Sequence, residues 1–479
     1  MFDIAQKVLV LPRQKTKCNK TIVYKIMELA MILLFVCGYA AIALEHQIHI
    51  NKAASALILS SVLWTLYMFH SHSMIQEGAN IAKTVEYVLN HEIIEGVGDV
   101  AEVLFFLMGA MTIVELIDVH GGFEIITSKI QTKSKKKLLY ILSLITFIMS
   151  AILDNLTTTI VIVMLLRKLI ADKKERWLFA SVVVLAANAG GAFSPIGDVT
   201  TIMLWVKGNV TTEALLPQLF IPSLLAAFVP VLIVGTQLKG NLEAVKVEET
   251  NRKRTAADVI TSTEQKTIFY LGVGALIFVP IFKSLTHLPP FFGVLLGLGV
   301  LWVYTEILYH GKHDVEEEAK GTINHVVSRI DFTTILFFLG ILMAVNALAC
   351  ADILKELSNW LDKAVGDVYI INLIIGVLSS IVDNVPLVQG AMKMYELAPD
   401  AASAYACDGV FWLFLAYCAG VGGSILIIGS AAGVVVMGLE KVTFGWYLQK
   451  ISVLALIGYL AGAGWFVLQE LVIRPALGF

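Results

Sequence analysis

Long apolar runs separated by short polar stretches make up most of this chain. A membrane-spanning helix needs about 20 predominantly apolar residues, and eight runs approach or exceed that length without interruption. They predict ordinary spans at 24–44, 52–69, 101–118, 215–236, 267–282, 289–309, 331–349 and 447–473.

Four further apolar stretches are interrupted. Two of them, 138–170 and 368–396, carry an Asp-Asn pair near their centre, and the other two, 178–206 and 408–438, are broken by glycines. A carboxylate in the bilayer interior costs about 2.5 kcal/mol or more, so such a residue is usually functional. Interrupted segments at matching places in two halves of a chain predict a binding site of a transporter.

The interrupted stretches belong to an internal repeat. The LFFL segment at 104–107 recurs at 336–339 and the glycines of 190–197 recur at 422–429, each 232 residues later, and the Asp-Asn pairs lie 229 residues apart. Near-equal offsets indicate one ancestral unit used twice. The predicted parts are N-terminal spans with a polar loop over 1–100, a first repeat core over 101–238, a cytoplasmic linker over 239–266 and a second repeat over 267–479.

Loop charge predicts the orientation of the repeats. Basic residues cluster at 129–137, at 167–176 and in the 239–266 linker, which places these three loops in the cytoplasm. The first Asp-Asn stretch then enters and leaves by one face, as a re-entrant helical hairpin with Asp154 and Asn155 at its tip. The second hairpin is expected to enter from the other face, as an inverted repeat requires. The same parity puts the N-terminus outside, although its own basic residues favour the inside.

Composition excludes several classes of protein. Hydrophobic residues make up 57% of the chain, charged residues 15%, and the mean hydropathy is +0.79, which indicates an all-α polytopic membrane protein with the lipid bilayer as its partner. A net charge of −3 without a basic tract gives no sign of a nucleic-acid partner. The five cysteines stand singly, which is typical of packing residues rather than metal ligands. Neither a catalytic nor a cofactor motif occurs, so we expect a protein that is not an enzyme and has no cofactor.

The tips of the two hairpins carry the first candidate chemistry. Asp154 and Asp383 are expected near the carbonyl groups that end the preceding helical arm, and carboxylate and carbonyl oxygens are the ligands of small hard cations. Asn155 and Asn384 suit the N-cap position of the helix that follows. The alternative is that the aspartates only cap buried helix ends.

The broken helices supply the other wall of the predicted site. Paired glycines, a proline and a further glycine between 189 and 201 free backbone carbonyls where a cavity can use them. Asp198, Thr200 and Thr201 follow at the restart of the helix, while the second repeat offers Ser424 and Ser430 but no acid. The predicted site therefore holds two acids from the first repeat and one from the second.

Four more residues are possible accessories. Asn188 precedes the glycine pair and could donate a hydrogen bond to the site, and Thr157 follows the first tip. Glu115 is either a proton-path residue or a residue near the membrane interface, and Glu102 lies at the solvated start of its span.

The order of these motifs resembles the NhaD family of sodium/proton antiporters, within the ion transporter superfamily. The resemblance covers about residues 75–475 and includes the motif LFFLMGAMTIVE at 104–115. It implies a homodimer with a scaffold domain and a mobile transport domain that works as an elevator. It also implies Na⁺ at Asp154, Asp198 and Asp383, with the remaining site residues being Asn155, Thr200, Thr201, Asn384, Ser424 and Ser430.

The predicted function is exchange of Na⁺ or Li⁺ for H⁺, in which the cation and the proton compete for the same carboxylates. Competition makes the exchange obligatory, because a proton removes the charge that holds the cation. The main alternative is a sodium-coupled symporter of small carboxylates on the same fold. A metalloid exporter using Cys418, or a passive channel, are the others. A bacterial inner membrane is the expected location, with an organelle as the alternative, and the expected roles are pH homeostasis and salt tolerance.

Overall fold

The computed structural model describes residues 16–43, 45–73, 86–127, 134–242, 256–310 and 321–477, together with residues 130, 132 and 312. Within these ranges the regular structure is helical, apart from an isolated β-bridge between Ser134 and Asn241. Nine helices of the described part are long and apolar enough to cross a membrane. The prediction of an all-α polytopic membrane protein is confirmed. Residues 1–15 and 243–255, which carry part of the orientation argument, lie outside the described residues.

The main helices are numbered in chain order. The N-terminal ones are α1 Thr16–Ala43, α2 Lys52–Ser73 and α3 Ile94–Val119, the last continuing from a π-helical turn at Val88–Ile93. The first repeat continues with α4 Lys135–Leu153, α5 Asn155–Leu169, α6 Lys173–Ala192, α7 Val199–Val206 and α8 Thr212–Gln237. Then follow α9 Ser262–Thr286, α10 Pro290–His310, α11 Ile323–Arg329, α12 Phe332–Cys350, α13 Ile353–Ala364, α14 Val368–Leu378, α15 Asn384–Met394, α16 Val410–Gly422, α17 Ala431–Glu440, α18 Phe444–Lys450 and α19 Ser452–Leu468.

The uninterrupted spans predicted from the sequence fall on helices, with two differences. The run predicted at 447–473 is divided between α18 and α19 at Ile451, where neither glycine nor proline marks the break. The helix predicted at 101–118 starts earlier, because one apolar span runs over Val88–Val119. Its first turns were expected to be a polar loop, yet Val88, Gly96 and Val100 form a buried face and leave the acidic side chains outside it.

The chain divides into two compact units. One comprises the described residues up to Val100 together with Leu336–Leu357, and the other comprises Ala101–Ile335 and the described residues from Ser358 onward. In the first unit α1 packs on α2, and the Trp64 Nε1 group donates to the carbonyl of Met343 at 2.9 Å. All the candidate site residues lie in the second unit.

The second unit contains the four interrupted segments. The first Asp-Asn segment breaks at the single residue Asp154, between α4 and α5, and the second breaks over 379–383, between α14 and α15. The glycine-containing segments break over 193–198 and 423–430. The breaks therefore lie where the polar and glycine interruptions of the sequence predict them.

Helix contacts in this unit recur between the two repeats. The Ser150 hydroxyl donates to the carbonyl of Ala187 at 2.6 Å, and the Ser379 hydroxyl donates to the carbonyl of Ala419 at 2.9 Å. A Cβ atom on Gly190 would overlap a carbonyl oxygen of α4, as one on Gly422 would overlap a carbonyl oxygen of α14. The glycines thus permit close approach of α4 to α6 and of α14 to α16. The opposite orientation of the two repeats in the membrane stays a prediction.

Candidate functional site

Four helices begin at the breaks, and each begins with a polar side chain that accepts a hydrogen bond from its own first turn. These N-cap contacts have lengths of 2.7, 2.9, 3.2 and 3.2 Å, and they join Asp154 to Thr157 N, Asp198 to Thr200 N, Asp383 to Val385 N and Ser430 to Gly433 N. A helix N-terminus exposes unpaired N–H groups and favours negative charge. Three of the four caps are aspartates.

Asp198 is the centre of the site. Its side chain is only 1% exposed, and its Oδ1 atom accepts the N–H of Thr200 at 2.9 Å and the hydroxyl of the same residue at 2.8 Å. Its Oδ2 atom accepts the Nδ2 group of Asn155 at 2.6 Å, and the Nδ2 group of Asn384 lies 3.4 Å from Oδ1. Side chains from both repeats therefore meet on one buried carboxylate.

Asn188 on α6 extends this network to the second broken helix. Its Oδ1 atom accepts the Nδ2 group of Asn155 at 3.1 Å, and its own Nδ2 group donates to the hydroxyl oxygens of Ser424 at 3.0 Å and Ser430 at 2.8 Å. Asn188 is fully buried. The structure thus makes this residue, expected only as an accessory, a bridge between the two repeats.

The prediction that Asn155 and Asn384 cap their helices is wrong by one residue. Asp154 and Asp383 are the N-caps, and each asparagine is the first helical residue. The consequence is physical: because an aspartate satisfies the first turn, the asparagine amide is available to Asp198. The Asp154 backbone has φ 124° and ψ 163°, a region used almost only by glycine, at a cost of about 1–3 kcal/mol.

Asp154 and Asp383 lie beside the network rather than at its centre. Their charges interact with that of Asp198, while their carboxylates accept hydrogen bonds from their own helices. Across the described residues, no three acidic, histidine or cysteine side chains cluster closely enough to hold a metal ion. A cation held here would meet one central carboxylate and neutral amide and hydroxyl oxygens.

The remaining predicted residues divide into those near the site and those away from it. The Thr201 hydroxyl donates to the backbone carbonyl of Asp198 at 2.8 Å, and the Thr157 hydroxyl donates to Asp154 Oδ2 at 2.9 Å. Glu102 instead pairs with Lys207 at 3.1 Å. Glu115 pairs with an arginine, and this pair is described below.

Sequence reasoning missed one charged cluster in this unit. Glu440, 2% exposed, accepts from Arg167 Nε and from Arg176 Nε, both at 2.6 Å, and its carbonyl accepts from Trp177 Nε1 at 2.8 Å. The cluster joins the end of α17 to α5 and α6. An acid ending an apolar run was the available signal, but its partners lie 264 and 273 residues away in the chain.

Comparison with known proteins gives consistent matches. Residues 26–407 match the family model CitMHS, described as a citrate transporter. The chain is 43% identical to Sodium/proton antiporter 2 of Arabidopsis thaliana over 432 residues, covering 90% of this chain and 97% of the relative. It is 30% identical to Na(+)/H(+) antiporter NhaD of Alkalimonas amylolytica, covering 90% of this chain and 88% of the relative. The Vibrio parahaemolyticus NhaD is 31% identical, over 85% of this chain and 98% of the relative.

Proposed function

Because this chain belongs to the family of NhaD-type sodium/proton antiporters, within the ion transporter superfamily, we propose that it exchanges Na⁺ or Li⁺ for H⁺ at Asp198 by an elevator-type alternating-access mechanism. Family membership makes the chain an integral multi-pass ion transporter and not an enzyme. The single observation that carries the proposal is the buried Asp198 carboxylate, contacted by amides of both repeats.

Competition at Asp198 is the proposed basis of exchange. A proton on the carboxylate removes the charge that attracts Na⁺, so the two ions cannot occupy the site together. The amides of Asn155 and Asn384 donate to the carboxylate in the present arrangement. An amide that turns over presents its oxygen where its nitrogen lay, so the same side chains can serve as oxygen ligands of the cation. Asp154 and Asp383 add negative charge nearby and favour cation entry.

A sodium-coupled symporter of small carboxylates is the second candidate, and the citrate transporter description of the matching family model favours it. Helix N-termini at a break are suited to bind an anionic substrate. In this chain, however, fixed aspartates cap three of the four N-termini. A carboxylate substrate would meet like charge there, which supports cation/proton exchange over anion symport.

The test is ion exchange in proteoliposomes that contain a trapped pH dye. Na⁺, Li⁺, K⁺ or citrate is added to a preset pH gradient, for the wild type and for Asp198→Asn, Asp154→Asn and Asp383→Asn. We expect Na⁺ and Li⁺ to dequench the dye in the wild type, Asp198→Asn to abolish this response, and the other two variants to weaken or abolish it.

A matched control is available on α6. Asp172 is also an N-cap, accepting the N–H of Glu175 at 2.7 Å, but it is exposed and lies outside the network. Asp172→Asn should keep the Na⁺ response. A wild type that answers only to citrate, or full Na⁺ activity in Asp198→Asn, would reject this proposal.

The mechanism and the assembly are separate parts of the proposal. We expect a homodimer in detergent, which light scattering coupled to size-exclusion chromatography measures. The relatives come from plants and bacteria, so a bacterial inner membrane is a proposal for membrane fractionation to test. An elevator motion predicts that a cysteine near Asp198 changes its side of accessibility when the ion gradient is reversed.

A further inference from the structure

A cavity of about 150 Å³ lies beside the first turns of α5. Its wall comes from the C-terminal half of α3, from α5, from the link between α11 and α12, and from α17. The charged side chains in this wall are Glu115, Asp118, Arg329 and Asp331. None of these four belongs to the network around Asp198.

The inner end of the cavity adjoins the site. Leu156 and Thr157 line it, and they are the second and third residues of α5. Thr157 contacts Asp154 twice, with its N–H 2.7 Å from Oδ1 and its hydroxyl 2.9 Å from Oδ2. One residue therefore separates the cavity from an aspartate whose charge interacts with that of Asp198.

The charges of the cavity favour a cation but are partly cancelled. Three carboxyl groups face one guanidinium, and a concave surface of one sign raises the local concentration of the opposite ion. Arg329 Nε lies 2.6 Å from Glu115 Oε1, and the side chains are 48% and 23% exposed. The guanidinium thus competes with an incoming cation for the same carboxylate.

We infer that this cavity is the vestibule through which the transported monovalent cation reaches Asp154, and that Arg329 limits its occupancy by pairing with Glu115. The inference rests on the proposed Na⁺/H⁺ exchange for its transport consequence. Glu115 and Arg329 are here positioning residues, since they act on the cation before it reaches the site.

Charge reversal along the pair gives the first test. With the dye assay, Glu115→Gln should raise the Na⁺ concentration for half-maximal rate, and Arg329→Gln should lower it. A unit charge a few ångströms from a partly screened ion gives a change of about two- to tenfold. The double variant should return to within about twofold of the wild type, and maximal rates should change less than half-maximal concentrations. Equal shifts in one direction, or no shifts, would overturn the inference.

Cysteine labelling gives a second test that does not need transport. In a background with the exposed Cys37 and Cys407 changed to serine, Val161→Cys places a thiol on the cavity wall. Val163→Cys, at a fully buried position of the same helix, is the matched control. Rates with cationic and anionic methanethiosulfonates are compared with those of a free thiol.

The expected result is reaction of the Val161→Cys thiol with a preference for the cationic reagent, and a smaller preference when Glu115→Gln is added. An unreactive Val161→Cys thiol, or a preference that Glu115→Gln leaves unchanged, would overturn the vestibule. If the labelling behaves as expected but the wild type shows no Na⁺/H⁺ exchange, the proposed function fails and the cation vestibule stands.

Discussion

Asn188→Ala tests whether the two repeats share one site. The substitution removes three hydrogen bonds, of 3.1, 3.0 and 2.8 Å, from a fully buried position. A typical buried hydrogen bond contributes about 1 kcal/mol net, and a partner left unpaired costs about 1–3 kcal/mol. Asn155 keeps Asp198, and Ser430 keeps the N–H of Gly433, so most partners retain a contact. We expect a loss of about 3 kcal/mol in stability.

The effect on sodium binding should be larger than the effect on folding suggests. Asn155 loses the contact that orients its amide toward Asp198, so the cation ligands are no longer preorganised. We expect the half-maximal Na⁺ concentration to rise about 10- to 100-fold, which corresponds to about 1.4–2.8 kcal/mol.

Two measurements check this expectation. The dye assay gives the half-maximal Na⁺ concentration, and thermal melting in detergent gives the stabilisation by Na⁺, which follows from binding to the folded state alone. Ser181→Ala is the control, because Ser181 lies on the same helix, is buried and bonds only the carbonyl of Trp177 at 2.8 Å. Wild-type sodium dependence and a wild-type Na⁺-induced melting shift in Asn188→Ala would refute the reasoning.

Two further predictions concern charged groups outside the site. Glu440→Gln removes two charge-assisted contacts from a buried carboxylate, and melting should fall by several degrees, by about 2 kcal/mol or more, whereas Glu175→Gln in an exposed pair should change little; equal effects would contradict this. Burial lowers the pKa of His120 below its usual 6.5, against the opposing contact with the Leu116 carbonyl. The unfolded chain therefore takes up a proton first as the pH falls below about 6.5, so wild-type melting should drop between about pH 7 and 5, and His120→Gln should flatten that dependence; an unchanged profile would exclude His120 as its source.

The four breaks could be predicted from the sequence because each puts a polar or glycine residue in an apolar run, and such exceptions are costly unless used. The exact N-cap could not be predicted. Aspartate and asparagine are nearly equal as N-caps, so local preference does not separate Asp154 from Asn155. What decides between them is the tertiary position of Asp198, which lies 43 residues beyond Asn155 in the chain.

Long-range partners were equally beyond the sequence. Asn188 was expected to donate to the site, but its bridging role depends on hydroxyls 236 and 242 residues away. The Glu440 cluster has the same cause. Charge and hydrophobicity along the chain identify which residues are unusual, whereas packing of distant helices decides which of them meet.

The repeat itself suggests why the site carries a single central charge. Asp198 and Ser430 lie 232 residues apart, and each caps the second half of a broken helix. One position therefore supplies a carboxylate and its equivalent supplies a hydroxyl, with Asn188 hydrogen-bonded to the hydroxyl and linked to the carboxylate through Asn155. Two carboxylates so placed would repel each other when the site is empty and would need two cations or protons to be neutral. One carboxylate among neutral oxygens is neutralised by one Na⁺ or one proton, which is the condition for the two ions to replace each other.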